Sequence, residues 1–134
     1  MFIGREKELK LLDTKIISSK FEFGIVYGSR RIGKTRLLQE VVKEHNAIYY
    51  VANEMGLEYN LSQLSAAVAG YFDEPFSFNS FELLFEYLAK KSKDQKIVLI
   101  LDEFTYLMST NKEILSVIQN IIYTYADSHS VFTN

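Results

Sequence analysis

The sequence predicts an α/β fold in which a parallel sheet carries helices on both faces. Two observations lead there. Short, continuous apolar runs rich in β-branched and aromatic residues recur at residues 23–27, 47–51 and 97–101, and stretches with apolar residues at helical spacing separate them. Strands joined through helices must cross over, and such crossovers are right-handed and build parallel sheets. Strands with no polar alternation are buried on both faces, which needs a helical layer on each side.

The elements follow in order. After the short Phe2-Ile3-Gly4 segment, Leu9, Leu12 and Ile16 predict an amphipathic helix over 5–19. The first strand covers 22–27. Leu37, Leu38, Val41 and Val42 share one face of a helix over 34–44 that packs on the sheet, with His45 at its end, where a cation suits the helix dipole. Ala47-Ile48-Tyr49-Tyr50-Val51 reads as a second buried parallel strand, its tyrosines filling the core. Leu57, Leu61, Leu64 and Val68 predict a helix over 57–72, and Pro75 lies in the connection after it. Ser80 is the expected N-cap of a helix using Phe81, Leu84, Phe85 and Leu88, which closes on Lys90-Lys91. A third strand over 96–101 ends in Asp102-Glu103. Asn111 is the expected cap of a last helix carrying Ile114, Leu115, Ile118, Ile121, Ile122 and Tyr125.

Ligands of such sheets bind at the carboxyl ends of the strands, and both chemical motifs of the chain fall there. Gly28-Ser29-Arg30-Arg31-Ile32-Gly33-Lys34-Thr35 matches the phosphate-binding pattern G-x-x-x-x-G-K-[ST] directly after an apolar strand. Its glycines let backbone N–H groups approach a polyphosphate, and the following helix turns its N-terminus to the same anion. Lys34 is expected to reach the β- and γ-phosphates, and the Thr35 hydroxyl to ligate Mg²⁺. Chance produces the pattern in roughly one unrelated chain of this length in two hundred, which disfavours accident. Together the pattern and the sheet predict a three-layer P-loop NTPase fold.

The strand Ile97-Val98-Leu99-Ile100-Leu101 followed by Asp102-Glu103 has the form of a Walker B segment. Asp102 is expected in the Mg²⁺ shell and Glu103 as the base that orients or deprotonates water, which makes Glu103 and Lys34 the candidate catalytic residues. An isolated apolar strand with a terminal acid is weak evidence; a phosphate loop upstream in the same sheet makes the pair informative. Arg30 and Arg31 could meet phosphate, a neighbouring subunit or DNA, although loop arginines are most often simply solvated. Asn53 and Glu54 follow the second strand at the ligand-facing edge and are weaker candidates for positioning water or nucleotide.

Composition bounds the rest. The chain has 134 residues, 48% hydrophobic and 24% charged, which suits one globular domain over 1–134. A formal net charge of -2 argues against a domain-wide basic field for nucleic acid. Without cysteine there are no disulfides, thiol nucleophiles or thiolate zinc sites, and two histidines cannot build a histidine-rich metal centre. With no signal-peptide pattern and no apolar run near the ~20 residues of a spanning helix, the expectation is a cytoplasmic protein without a membrane partner.

Three segments together resemble the archaeal-type ATPase family, a branch of the P-loop ATPases related to AAA+ and STAND ATPases: Phe2-Ile3-Gly4-Arg5-Glu6-Lys7-Glu8-Leu9, then Tyr27 through Thr35 with Arg36-Leu37, then Leu101-Asp102-Glu103-Phe104. The resemblance covers nearly all of the chain. It implies ATP as the nucleotide, extends the nucleotide-binding set to Arg36, and places Gly4 and Arg5 near the adenine. Members continue with a strand bearing a polar sensor residue, a further strand, a helical or winged-helix region and often a nuclease-like C-terminal domain. This chain stops at Ser130-Val131-Phe132-Thr133-Asn134, where the sensor strand would begin. The resemblance puts that missing strand between the phosphate-loop strand and the Asp-Glu strand, so these two are expected to lack neighbours there. The chain therefore reads as the N-terminal portion of an ATPase domain, truncated before the sensor strand, the alternative being a sheet completed in an unusual way.

The expected function is ATP binding and Mg²⁺-dependent hydrolysis. The alternatives are a nucleotide-dependent switch with little turnover and, less favoured, a small-molecule or nucleic-acid kinase, for which no acceptor signature is present. A homo-oligomer and a missing C-terminal domain both stand as partners, and DNA enters only through the family resemblance.

Overall fold

The computed structural model describes residues 2–4, 21–26, 32–75 and 77–125. Strands β1 (Phe2–Gly4), β2 (Phe21–Val26), β3 (Ile48–Val51) and β4 (Ile97–Asp102) form one parallel sheet in the order β1-β2-β4-β3. Helix α1 (Ile32–His45) follows β2, while α2 (Leu57–Phe72) and α3 (Phe81–Lys91) connect β3 to β4. After β4 come α4 (Thr105–Thr110) and α5 (Ile114–Tyr125).

The apolar run of β4 explains the layering. All six of its residues are buried, and its five apolar residues alternate between two clusters. Ile97, Leu99 and Leu101 pack with Leu64 and Val68 of α2, Leu84, Phe85 and Leu88 of α3, and Ile114 and Ile118 of α5. Val98 and Ile100 pack on the other face with Leu38 and Val41 of α1. A strand whose side chains are buried on both faces has to be covered twice, and the helices on either side do this.

Local chemistry sets the helix ends. Ser80 Oγ accepts the Leu83 N–H at 3.1 Å, the expected N-cap of α3. The Lys91 ammonium ends that helix 5.4 Å from the Phe72 ring centre and 5.6 Å from that of Tyr87, joining the ends of α2 and α3. Asp73 closes α2 in the left-handed region at φ 54°, with Glu74 N–H donating to the Ala69 carbonyl. Asn111 begins the turn into α5, its Oδ1 accepting the Glu113 N–H at 3.1 Å.

Several expectations are revised. The first and third predicted strands each move by one residue, and Phe2-Ile3-Gly4 is a strand in its own right, parallel to β2 with Gly4 beside Val26. Helix α4 was not expected, because six residues with Leu107 alone buried carry no readable period. The helix expected over 5–19 lies outside the described residues. The expected gap between the phosphate-loop strand and the Asp-Glu strand is also absent. β2 and β4 pair directly, from Phe21 beside Ile97 to Ile25 beside Leu101. Neighbouring strands with free ladder groups satisfy those groups on one another.

The core assignment yields a paired prediction. Phe85 is fully buried and Leu83, on the same helix, is 49% exposed. Denaturant unfolding should show Phe85→Ala destabilised by about 3–5 kcal/mol and Leu83→Ala changed by no more than about 0.5 kcal/mol.

Candidate functional site

Parallel pairing brings the carboxyl ends of all four strands to one edge. Gly4 lies beside Val26 and Val51 beside Asp102, and the β2–β4 register carried one residue on sets Val26 beside Asp102. From Val26 the chain passes through residues 27–31 into α1, whose first turn is Ile32-Gly33-Lys34-Thr35. The glycine-rich segment therefore joins the end of β2 to the start of α1 in the chain, and the strand paired with β2 ends in the acidic pair. Gly28, Ser29, Arg30, Arg31 and Arg5 lie outside the described residues. Arg36 is exposed on α1, and Gly4 ends β1 at the same edge.

Asp102 is 3% exposed. The β4 alternation puts its side chain on the face of Val98 and Ile100, the face covered by α1. Both carboxylate oxygens are engaged: Oδ1 accepts the Glu103 N–H at 2.8 Å and Oδ2 accepts the Tyr49 hydroxyl at 2.6 Å. Its carbonyl accepts the Ala52 N–H at 3.0 Å, which extends the β3–β4 pairing past the last strand residue.

Glu103 is half-buried and has φ 55°, a left-handed conformation that costs a non-glycine residue about 1 kcal/mol or more. The bend ends β4, breaks its side-chain alternation and leads into α4. It is held from both sides, by the Glu103 N–H on Asp102 and by the Glu103 carbonyl, which accepts the Tyr106 N–H at 3.1 Å.

The loop after β3 is fixed as firmly by Asn60, a fully buried amide on the first turn of α2. Asn60 Oδ1 accepts the Tyr50 hydroxyl at 2.6 Å and the Asn53 N–H at 3.1 Å. Its Nδ2 donates to the carbonyls of Asn53 at 3.0 Å and Gly56 at 2.7 Å, so its hydrogen-bonding capacity is filled. Gly56 has φ 103°, which side-chain-bearing residues rarely adopt. Asn53 Oδ1 closes a turn on the Met55 N–H at 2.9 Å, and Glu54 is exposed upon it. Burial, with the neighbouring Tyr59 as a smaller contribution, pushes the Tyr50 hydroxyl up to about 12.

From the sequence Tyr49 reads as core filler and Asn60 carries no assigned role. Parallel register, which sets Tyr49 within reach of Asp102, leaves no local sequence signal. Asn60 carries a weak one, as a polar residue at helical spacing with the apolar Leu57, Leu61, Leu64 and Val68. No group of three or more histidines or acids placed to hold a metal occurs among the described residues, and none of the described helices is long and apolar enough to cross a membrane.

The family described as an ATPase domain predominantly from Archaea matches residues 2–133. An uncharacterised protein of Methanocaldococcus jannaschii is 35% identical over 122 residues, covering 91% of this chain and 26% of the relative. A second uncharacterised protein of that organism is 53% identical over 38 residues, covering 28% of this chain and 37% of the relative. One named as an uncharacterised ATP-binding protein is 40% identical over 43 residues, or 32% of this chain and 73% of the relative. The chain thus spans about a quarter of the length of the first of these relatives. No solved structure matches it. The chain belongs to this family of ATPase domains.

Tyr50 makes the pH dependence of stability predictable. Its hydroxyl ionises near 10 in the unfolded chain and near 12 in the folded one, so the unfolded state loses its proton first. Its contribution is fully present below pH 10 and is lost as pH rises to 12, by up to about 2 kcal/mol. Urea unfolding at stepped pH should show this decline in the wild type and a flatter profile in Tyr50→Phe.

Proposed function

We propose that this chain is the N-terminal part of a P-loop ATPase domain that binds ATP with Mg²⁺ and hydrolyses it. One observation carries the reading: a buried carboxylate, Asp102, followed by a left-handed Glu103, ends the strand directly beside the one that leads through a G-x-x-x-x-G-K-[ST] segment into a helix. The family match and the printed name of one relative support ATP as the nucleotide. The apolar clusters on both faces of β4 support a three-layer arrangement.

In this reading Gly28 through Thr35 wrap the phosphates with backbone N–H groups, Lys34 neutralises the β- and γ-oxygens, and Arg36, Gly4 and Arg5 complete the nucleotide site. Thr35 and Asp102 hold Mg²⁺. The donor set fits that ion: a single buried carboxylate and a hydroxyl suit a cation that keeps several waters and takes its other ligands from phosphate. Bound there, Mg²⁺ supplies charge that offsets the charge developing on the phosphoryl oxygens. Glu103 accepts a proton from the attacking water, and the bend at φ 55° supports this role because strained backbone gathers at functional positions.

Glu103→Gln keeps size and hydrogen bonding and removes the base. The expected result is Mg²⁺-ATP binding as in the wild type, with phosphate release slowed about 100-fold or more. An unchanged rate would overturn the assignment of Glu103.

A further inference from the structure

We propose that Tyr49 is a positioning residue for the Asp102 carboxylate, presenting it to the Mg²⁺-nucleotide; this rests on the function proposed above. Tyr49 lies on β3 in register with Ile100, and its ring packs with the cluster of Leu38, Val41, Val98 and Ile100, alongside Val42 and Ala47. Phenylalanine would fill that space equally well. What tyrosine adds is a hydroxyl whose oxygen lies 2.6 Å from Asp102 Oδ2, a short charge-assisted hydrogen bond.

The second oxygen of the same carboxylate is held by the Glu103 N–H. A donor on each oxygen fixes both the plane and the rotation of the group. A carboxylate set in this way accepts the waters of a hard cation without first reorganising, the usual role of groups that hold a metal's ligands from behind. Leu38 and Val41 of α1, the helix whose first turn holds Thr35, belong to the cluster on which Tyr49 packs, so this helix and the residue holding the carboxylate share one packed layer.

The test is calorimetric titration of the chain with a non-hydrolysable ATP analogue at stepped Mg²⁺ concentration and in EDTA. It compares wild type, Tyr49→Phe, Asp102→Asn and the double variant, with thermal unfolding to establish that each is folded. Tyr49→Phe should raise the Mg²⁺ concentration for half-maximal binding about tenfold or more and leave binding in EDTA unchanged. In the Asp102→Asn background it should add nothing, because the group it positions is gone. An unchanged Mg²⁺ requirement in folded Tyr49→Phe overturns the proposal, as does an equal loss with and without Mg²⁺, or an additive effect in the double variant. A wild type with no Mg²⁺-dependent binding overturns the proposed function as well.

Discussion

The lack of any solvent-facing side chain on β4 is the constraint from which the arrangement follows. All six residues are buried, so both faces must be covered and both edges paired. α1 covers one face, and α2, α3 and α5 cover the other. β2 and β3 take the edges, and parallel pairing then brings the end of β2, the acidic pair and the loop after β3 to the same end of the sheet. A charge at the last position of so apolar a strand is costly unless it is hydrogen-bonded, and Asp102 has a donor on each oxygen.

That end of the sheet is held stiffly. Asn60 satisfies the loop after β3 from within the core, and the Ala52 N–H ties the same loop to the Asp102 carbonyl. Glu103 is kept in a conformation it would not choose alone, by bonds on both its N–H and its carbonyl. Rigid backbone on either side of a strained acid is what a site needs when its groups must be in place before a ligand arrives.

Much of this was legible in the sequence, for identifiable reasons. The helix over 57–72 and the Ser80 cap carry their own local signals, apolar periodicity and a hydroxyl before an apolar run, and both stand in the structure. Asp102 and Glu103 were legible because a charge ending an apolar strand is conspicuous. Pairing was not. Which strands neighbour each other depends on contacts distant in sequence, so the direct β2–β4 pairing, the strand at Phe2–Gly4 and the reach of Tyr49 to Asp102 emerged only from the fold. Asn60 was passed over for a related reason, since its partners Tyr50, Asn53 and Gly56 converge on it only once β3 has turned into α2.

The central claim is that the carboxyl edge of this sheet binds the polyphosphate of ATP through the segment entering α1. Calorimetric titration of the wild type and Lys34→Ala with Mg²⁺ and a non-hydrolysable ATP analogue tests it most directly. The account predicts saturable binding in the wild type that is lost in the variant. Equal binding by both proteins, or none by a folded wild type, would contradict it.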